Sequence, residues 1–141
     1  MWGVEYTDEF GVWFRSQDEL VQDAIDRFVG LLEAKGPHLP FPYSSGIEGS
    51  RHQHMRELRI QVAGQSYRVF YAFDPRRVAI LLIGGSKTGE GRFYERMIPI
   101  ADGLYDTHLT ELGNELDEVH LICAWAHDQG VIHSRKQVTD L

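Results

Sequence analysis

The amino-acid sequence predicts an α+β fold in which a small antiparallel sheet packs on helices. One segment between Ser16 and Gly36 has apolar residues at helical spacing, and three later segments, residues 57–62, 66–73 and 78–83, are rich in β-branched and aromatic residues. The turns between those three segments are short enough for hairpins and too short for parallel crossovers. We therefore expect an antiparallel meander.

The N-terminal residues predict a short strand followed by a short helix. Val4–Tyr6 has the composition of an edge strand. Thr7 is a suitable N-cap for a helix that runs through Phe14 and turns Phe10, Trp13 and Phe14 towards the core.

The strongest helix signal comes next. Ser16 and Glu19 form a capping-box pattern, and Gly36 with Pro37 ends the helix. The apolar residues expected on its buried face are Leu20, Val21, Ala24, Ile25, Phe28, Leu31 and Leu32. Residues 37–50 contain three of the five prolines and predict an irregular surface loop.

The first and third predicted strands differ in how their faces alternate. Residues 78–83 are apolar on both faces, as expected of a central strand. The first strand separates an apolar face from a polar face, with Leu58, Ile60 and Val62 on one and Glu57, Arg59 and Gln61 on the other. We expect one layer of helices to cover one face of this sheet.

The C-terminal third predicts helix. Residues 92–115 form a helical region that Pro99 is expected to break or kink. From Leu116 a short amphipathic helix ends at Gly130, and a polar, frayed end follows from Ser134. We expect one domain over residues 1–112 and a partly helical tail over residues 113–141.

Composition excludes several classes of protein. With 141 residues and 43% hydrophobic content, the chain can form one core. No segment approaches the roughly 20 apolar residues that span a bilayer, and residues 1–10 carry acids where a signal peptide has basic residues, so we expect a cytoplasmic protein without a membrane partner. The single cysteine, Cys123, forms no internal disulfide and is expected to be packed in the core.

The charge is unevenly distributed along the chain. The net charge is −7, but residues 51–96 contain nine basic and four acidic residues, a net of +5 that leaves −12 for the remainder. A basic centre within an acidic chain favours one working surface that binds an anion.

Three sequence segments carry a resemblance to a known family. They are ELR at residues 57–59, YRVFYAFDP at residues 67–75 and GGSKTGEGRFYERMIPIA at residues 84–101. In these segments the chain resembles the RelE/HigB-type toxins, and most of all their phage-derived HigB-like branch, over residues 2–112. The resemblance implies a compact α+β toxin that cleaves messenger RNA, often in the ribosomal decoding site, without a cofactor. It also implies an antitoxin partner encoded beside it.

Metal-independent RNA cleavage requires that the 2′-hydroxyl be deprotonated, the leaving oxygen protonated and the charge of the phosphorane neutralised. The resemblance implies that Arg68 stabilises the transition-state phosphate, because a guanidinium can bind two oxygens at once. Arg59 is expected on the same exposed sheet surface as Arg68. Lys87 could reach a phosphate held at the end of the third strand, and Tyr94 could stack on a base or join proton transfer.

Further residues are weaker candidates. His54, close to His52, could act as an acid or base near neutral pH. Arg51, Arg56 and Arg92 are expected to contact the RNA backbone without reading its sequence.

Two other motifs do not support a site. Residues 85–88 lack the glycine before Lys87 that a nucleotide-phosphate loop requires. The remaining histidines lack the spacing of a zinc site, so packing or surface roles are favoured for His108, His120, His127 and His133.

Two alternatives remain open at the level of sequence. One is a ParE-like toxin, which shares the fold and inhibits DNA gyrase, although the joint presence of Arg68, Lys87 and Tyr94 argues against it. The other is a non-catalytic module that binds an antitoxin or nucleic acid.

Overall fold

The computed structural model describes residues 1–122 and 136–138. It contains a sheet with helices on both faces. The strands are β1 (Val4–Tyr6), β2 (Ser44–Gly46), β3 (Arg56–Val62), β4 (Gln65–Phe73), β5 (Ala79–Ser86) and β6 (Lys136–Gln137). The helices are α1 (Asp8–Arg15), α2 (Glu19–Lys35) and α3 (Phe93–Ile122), and a single 3₁₀ turn spans Gly36–His38.

The strand order is β2-β3-β4-β5-β1-β6, which confirms the α+β class. β3, β4 and β5 form the predicted antiparallel meander. β1, however, pairs in parallel with β5, so the sheet is mixed. The expectation that β1 is an edge strand is wrong, because β6 pairs with its other side. The long connection from β1 to β5 through α1 and α2 allows the parallel pairing.

The helices cover both faces of the sheet, which corrects the expectation of a single helix layer. α1 and α2 contribute Phe10, Ile25 and Leu32 to a core that includes Leu58 and Ile60, all of them fully buried. The burial of Leu58 and Ile60 therefore confirms the apolar face that the alternation of β3 predicted.

The opposite face packs against α3. Phe70 of β4 and Leu82 of β5 contact a second core with Phe93 and Met97 of α3. Since β5 and residues 69–73 of β4 are apolar on both sides, each face must be covered by a helix to remove it from water.

The helix termini confirm one cap and correct another. The Thr7 hydroxyl accepts a hydrogen bond from Phe10 N at 3.0 Å, as predicted. α2 is capped by Asp18, which accepts from Val21 N at 3.0 Å, whereas Ser16 ends α1. Leu20, in the first turn of α2, is 60% exposed and does not belong to the buried face.

Residues 37–50 are more regular than predicted. They begin within the 3₁₀ turn and contain β2, whose Ser44 lies opposite Leu58 of β3. The buried Ser44 hydroxyl lies 2.6 Å from the Tyr71 hydroxyl. The strand is stabilised by these contacts with distant residues, which local composition does not reveal.

Pro99 does not break α3, which continues past Leu116 to Ile122. A proline here deprives the carbonyl of Glu95 of its helical partner, and the exposed position of Glu95 lets water replace that partner. The separate helix predicted from Leu116 is thus part of α3.

The predicted frayed end contains β6, which pairs with β1. Gly130 and Ser134 lie outside the described residues, as do Cys123, His127 and His133. The division at residue 112 falls within α3 and stays a prediction.

A close contact between α1 and the sheet makes a testable prediction. A Cβ at Gly84 of β5 would overlap the ring of Trp13. Gly84→Ala is therefore expected to lower the free energy of unfolding by about 1–3 kcal/mol, through overpacking. Gly30→Ala is the control, because outside the adjacent backbone of α2 nothing lies within 4 Å of a Cβ added at Gly30. It should raise stability by about 0.5–1 kcal/mol. Chemical denaturation of both variants tests this contact, and equal stabilities would contradict it.

Candidate active site

A buried carboxylate lies at the centre of the polar face of β3. Glu57 is only 3% exposed. Its Oε1 accepts a hydrogen bond from the Tyr94 hydroxyl at 2.7 Å, and its Oε2 accepts one from the Ser45 hydroxyl at 2.8 Å. A buried carboxylate is costly unless it is paired and hydrogen-bonded, and here β2 and α3 each provide a donor.

Two arginines flank this carboxylate. Arg59 of β3 and Arg68 of β4 are directly opposite each other in the sheet register. Like charges in that position repel each other. Glu57 offsets the repulsion, because Oε2 lies 3.5 Å from Arg59 Nη1 and Oε1 lies 3.5 Å from Arg68 Nε.

Arg68 is the most deeply buried cation of the group, with 6% of its surface exposed. Its Nη1 donates to the carbonyl of Tyr67 at 3.0 Å. Its Nε is buried and, among the described residues, has no hydrogen-bond partner at normal geometry. The guanidinium therefore combines a fixed position with unused hydrogen-bonding capacity.

Tyr94 and Lys87 complete the site from the other side. Tyr94 is the second residue of α3, and Lys87 Nζ lies 5.4 Å from the centre of its ring. Two hydrogen bonds of 2.7 Å fix the start of the loop between β5 and α3 to Ser66 of β4. Lys87 N donates to the Ser66 carbonyl, and Ser66 N donates to the Thr88 hydroxyl. We call Glu57, Arg59, Arg68, Lys87 and Tyr94 the Glu57 cluster.

The electrostatic environment keeps Tyr94 protonated. Burial raises the pKa of the Tyr94 phenol, and the hydrogen bond to Glu57 and the charge of Glu57 raise it further, while Arg68 opposes them. Tyr94 thus remains a neutral hydrogen-bond donor at physiological pH. Its proton is directed at a carboxylate, which is a suitable geometry for a proton relay.

The cluster has more positive than negative charge. Arg59, Arg68 and Lys87 outnumber Glu57 by three to one. Other cations of the basic centre are neutralised by partners: Arg76 by Asp74 and Glu5, and Arg96 by Glu90. Fewer cations are therefore available to bind an anion than the nine basic residues of residues 51–96 indicate.

The histidines predicted from sequence lie in a different cluster. His54 Nε2 is 3.1 Å from the Tyr105 hydroxyl, and His52 Nε2 is 2.7 Å from Asp106 Oδ1. His54 therefore has a partner on α3, Tyr105, and among the described residues no hydrogen bond or ion pair joins it to the Glu57 cluster. Its proposed acid or base role stays a prediction without support from this geometry.

The three predicted backbone-binding arginines are dispersed. Arg51 pairs with Asp106 and lies 3.9 Å from Asp102. Arg56 donates to the Ser44 hydroxyl at 3.0 Å, on the sheet face opposite the cluster. Arg92 is 87% exposed at its side chain. Of these three arginines, Arg92 has the most exposed side chain, and its one ion pair, between Nε and Oε2 of the exposed Glu95 at 3.9 Å, is screened by solvent.

A pocket of about 550 Å³ adjoins the cluster at Tyr94. It is open, and three acidic residues and one arginine line it together with apolar residues. Its lining residues are Glu48, Gly49, Arg51, Tyr94, Glu95, Ile98, Pro99 and Asp102. Tyr94 is shared by the pocket and the cluster.

Sequence reasoning found four of the five residues of the cluster and missed Glu57 as its centre. The alternation of β3 placed Glu57 and Arg59 on one face, and that was the available signal. Ser45 was not identified, because residues 37–50 predicted an irregular loop.

In residues 1–122 and 136–138, the structure contains no group of three or more His, Cys, Asp or Glu side chains placed to bind a metal ion. Within the same residues, no helix combines the length and the apolar character needed to cross a membrane.

Comparison with known proteins gives one family and two relatives. Residues 12–106 match the family described as phage derived protein Gp49-like. Over 106 residues the chain is 34% identical to the "Putative toxin HigB2" of Mycobacterium tuberculosis, and this match covers 74% of this chain and 53% of that protein. Over 91 residues it is 42% identical to the "Putative toxin HigB3" of the same organism, and that match covers 64% of this chain and 78% of the relative. The match thus spans about half the length of HigB2.

Proposed function

Because the chain belongs to the phage-derived Gp49-like family and to the HigB-type toxins, we propose that it is the toxin of a toxin–antitoxin pair and that it cleaves messenger RNA. The observation that carries the proposal is the Glu57 cluster, in which three cations surround a neutral tyrosine hydrogen-bonded to a carboxylate. These are the groups that RNA cleavage through the 2′-hydroxyl needs. The alternative of a module that only binds has no need for the tyrosine–carboxylate pair.

The proposed reaction begins with a proton relay. The 2′-hydroxyl passes its proton to the Tyr94 oxygen, and Tyr94 passes its own proton to Glu57 along the 2.7 Å hydrogen bond. The 2′-oxygen then forms a bond to phosphorus as the bond to the 5′-oxygen breaks. The products are a 2′,3′-cyclic phosphate and a 5′-hydroxyl, whose oxygen takes up a proton from water. The proton on Glu57 then returns through Tyr94 to water, which restores the carboxylate.

The three cations have distinct proposed roles. Arg59 and Lys87 are partly exposed and bind the oxygens of the scissile phosphate. Arg68 lies deeper and fixes Glu57 while its charge offsets that of the phosphorane. The family resemblance implies the role of Arg68, whereas Arg59 and Lys87 were selected from their positions on and at the end of strands.

The proposed partners follow from this activity. The substrate is messenger RNA, either free or on the ribosome, so the protein would act in the cytoplasm. An antitoxin protein would neutralise it, as the toxin–antitoxin class implies.

Tyr94→Phe tests the relay. This variant keeps the ring and its contact with Lys87, and it removes the proton donated to Glu57. We expect cleavage of a reporter transcript, followed by primer extension after induced expression, to fall by about 10²-fold or more. Growth arrest should be relieved accordingly.

Arg92→Ala is the matched control, since Arg92 lies two residues away with an exposed side chain. It should weaken cleavage far less than Tyr94→Phe. Undiminished cleavage by Tyr94→Phe would contradict the relay, and arrest of growth with intact transcripts would favour gyrase inhibition.

A further inference from the structure

An exposed aromatic ring lies next to the Glu57 cluster. Phe41 is 68% exposed, whereas its neighbour Tyr43 is 42% exposed. The guanidinium carbon of Arg59 lies 5.0 Å from the centre of its ring. Arg59 in turn lies 3.5 Å from Glu57, so the ring is one side chain away from the proposed chemistry.

The chain around Phe41 is fixed. Tyr43 N and Ser44 N both donate to the carbonyl of Pro40, at 3.0 and 3.1 Å. Arg59 N donates to the carbonyl of Tyr43 at 2.9 Å, which ties the segment to β3. The Tyr43 ring packs against Phe28 with ring centres 6.1 Å apart. The neighbouring residues are therefore tied to the fold while the ring of Phe41 remains in solvent.

We propose that Phe41 and Arg59 form a stacking platform for an unpaired nucleobase of the RNA whose phosphate lies in the Glu57 cluster. The inference rests on the proposed function and extends it to how the substrate is held. A nucleobase stacks on an exposed aromatic ring and on the plane of a guanidinium, and both surfaces are present here. The ligand is single-stranded RNA, since bases in a duplex cannot reach the ring.

The charge next to Phe41 favours RNA over an apolar protein partner. Arg59, Arg68 and Lys87 together attract phosphate, and Arg59 belongs to both the cluster and the platform. A nucleotide has an anionic group and an aromatic base on adjoining parts of one molecule. Its two parts match the cluster and the exposed ring, respectively.

The test is binding of a short single-stranded RNA with 2′-O-methyl riboses, which cannot be cut through the 2′-hydroxyl. A 2-aminopurine base at successive positions reports stacking through its fluorescence. We expect quenching at one position with the wild type. Phe41→Leu should lose that quenching and weaken binding by about tenfold or more, whereas Phe41→Trp should retain both.

Leu20→Ala is the control, because Leu20 is a similarly exposed apolar residue of α2. It should bind as the wild type does, and thermal unfolding should show that every variant is folded. Equal binding and equal quenching by Phe41→Leu and the wild type would overturn the platform. Wild type that neither binds this RNA nor cuts the reporter transcript would overturn the proposed function and the platform together.

Discussion

Replacing Arg68 with alanine is expected to lower transcript cleavage by about 10²- to 10³-fold, the typical loss when a preorganised charge is removed from a transition state. Arg68 provides a buried positive charge beside Glu57 and Tyr94. Without Arg68, the phosphorane would lose a nearby cation, and Glu57 would lose one of the two arginines that fix its position. Induced expression with primer extension measures the effect.

The same substitution affects stability, which requires a separate control. Arg68→Ala leaves the buried Glu57 without one of its two cations, and breaking a buried pair costs about 3–5 kcal/mol. The double variant Glu57→Gln/Arg68→Gln removes both charges and should recover much of that stability. Because it has neither the carboxylate nor the cation, it should remain inactive.

Arg56→Ala provides the comparison on the other side of the sheet. Arg56 is also an arginine of the sheet, but it bonds to Ser44 on the opposite face. It should retain most of the cleavage activity. A stable, fully active Arg68 variant would contradict the assigned site, whereas an inactive variant that still binds its antitoxin would support catalysis over mere binding.

Replacing Asp74 with alanine is expected to have a large effect on stability, away from the Glu57 cluster. Asp74 is 4% exposed and accepts hydrogen bonds from Arg76 and from Val78 N. Nε2 of His108 lies 2.8 Å from its Oδ2. Its network joins the turn after β4 to α3, and through Arg76 to Glu5 of β1. Loss of the carboxylate leaves buried donors unsatisfied and should cost about 3–5 kcal/mol, measured by chemical denaturation.

The pKa of Asp74 makes the same network sensitive to acid. Burial alone would raise that pKa, but hydrogen bonds from His108 and Arg76, the charge of Arg76 and the Val78 N–H together lower it from 3.8 to about 2. A lowered pKa in the folded state means that the stabilisation is complete above pH 3.8 and is lost as the pH falls towards 2. The wild type should lose stability in that interval, and Asp74→Asn should lose less.

Asp106→Ala is the matched control for Asp74→Ala. Asp106 also accepts from an arginine and contacts a histidine, but its side chain is 44% exposed. Solvent screens such a pair, so the midpoint of unfolding should change far less than in Asp74→Ala. Equal losses in the two variants would contradict the importance of burial.

Local patterns predicted much of the secondary structure. Periodicity located α2 and the meander, and the chemistry of Thr7 identified the first N-cap. Pairings between distant residues could not be predicted in the same way. The parallel pairing of β1 with β5 and the formation of β2 depend on contacts between residues that are distant in sequence, and a local pattern does not reveal such contacts.

The site shows the same division. Residue type and family resemblance selected Arg59, Arg68, Lys87 and Tyr94, and the fold brings all four together. The pairing of Tyr94 with Glu57 joins α3 to β3 and became visible only in the folded chain. The sequence predicted that Arg59 and Arg68 project from one exposed sheet surface, and for Arg68 this is wrong, because α3 covers that face and leaves Arg68 6% exposed.

The chemistry of the cut ends tests the central claim most directly. Reporter transcripts cut in cells by the wild type can be recovered and the downstream fragment treated with polynucleotide kinase, without prior removal of phosphate. Attack by the 2′-hydroxyl predicts that this fragment has a 5′-hydroxyl and is labelled. A downstream fragment that carries a 5′-phosphate, or growth arrest without any cut transcript, would contradict the proposed reaction.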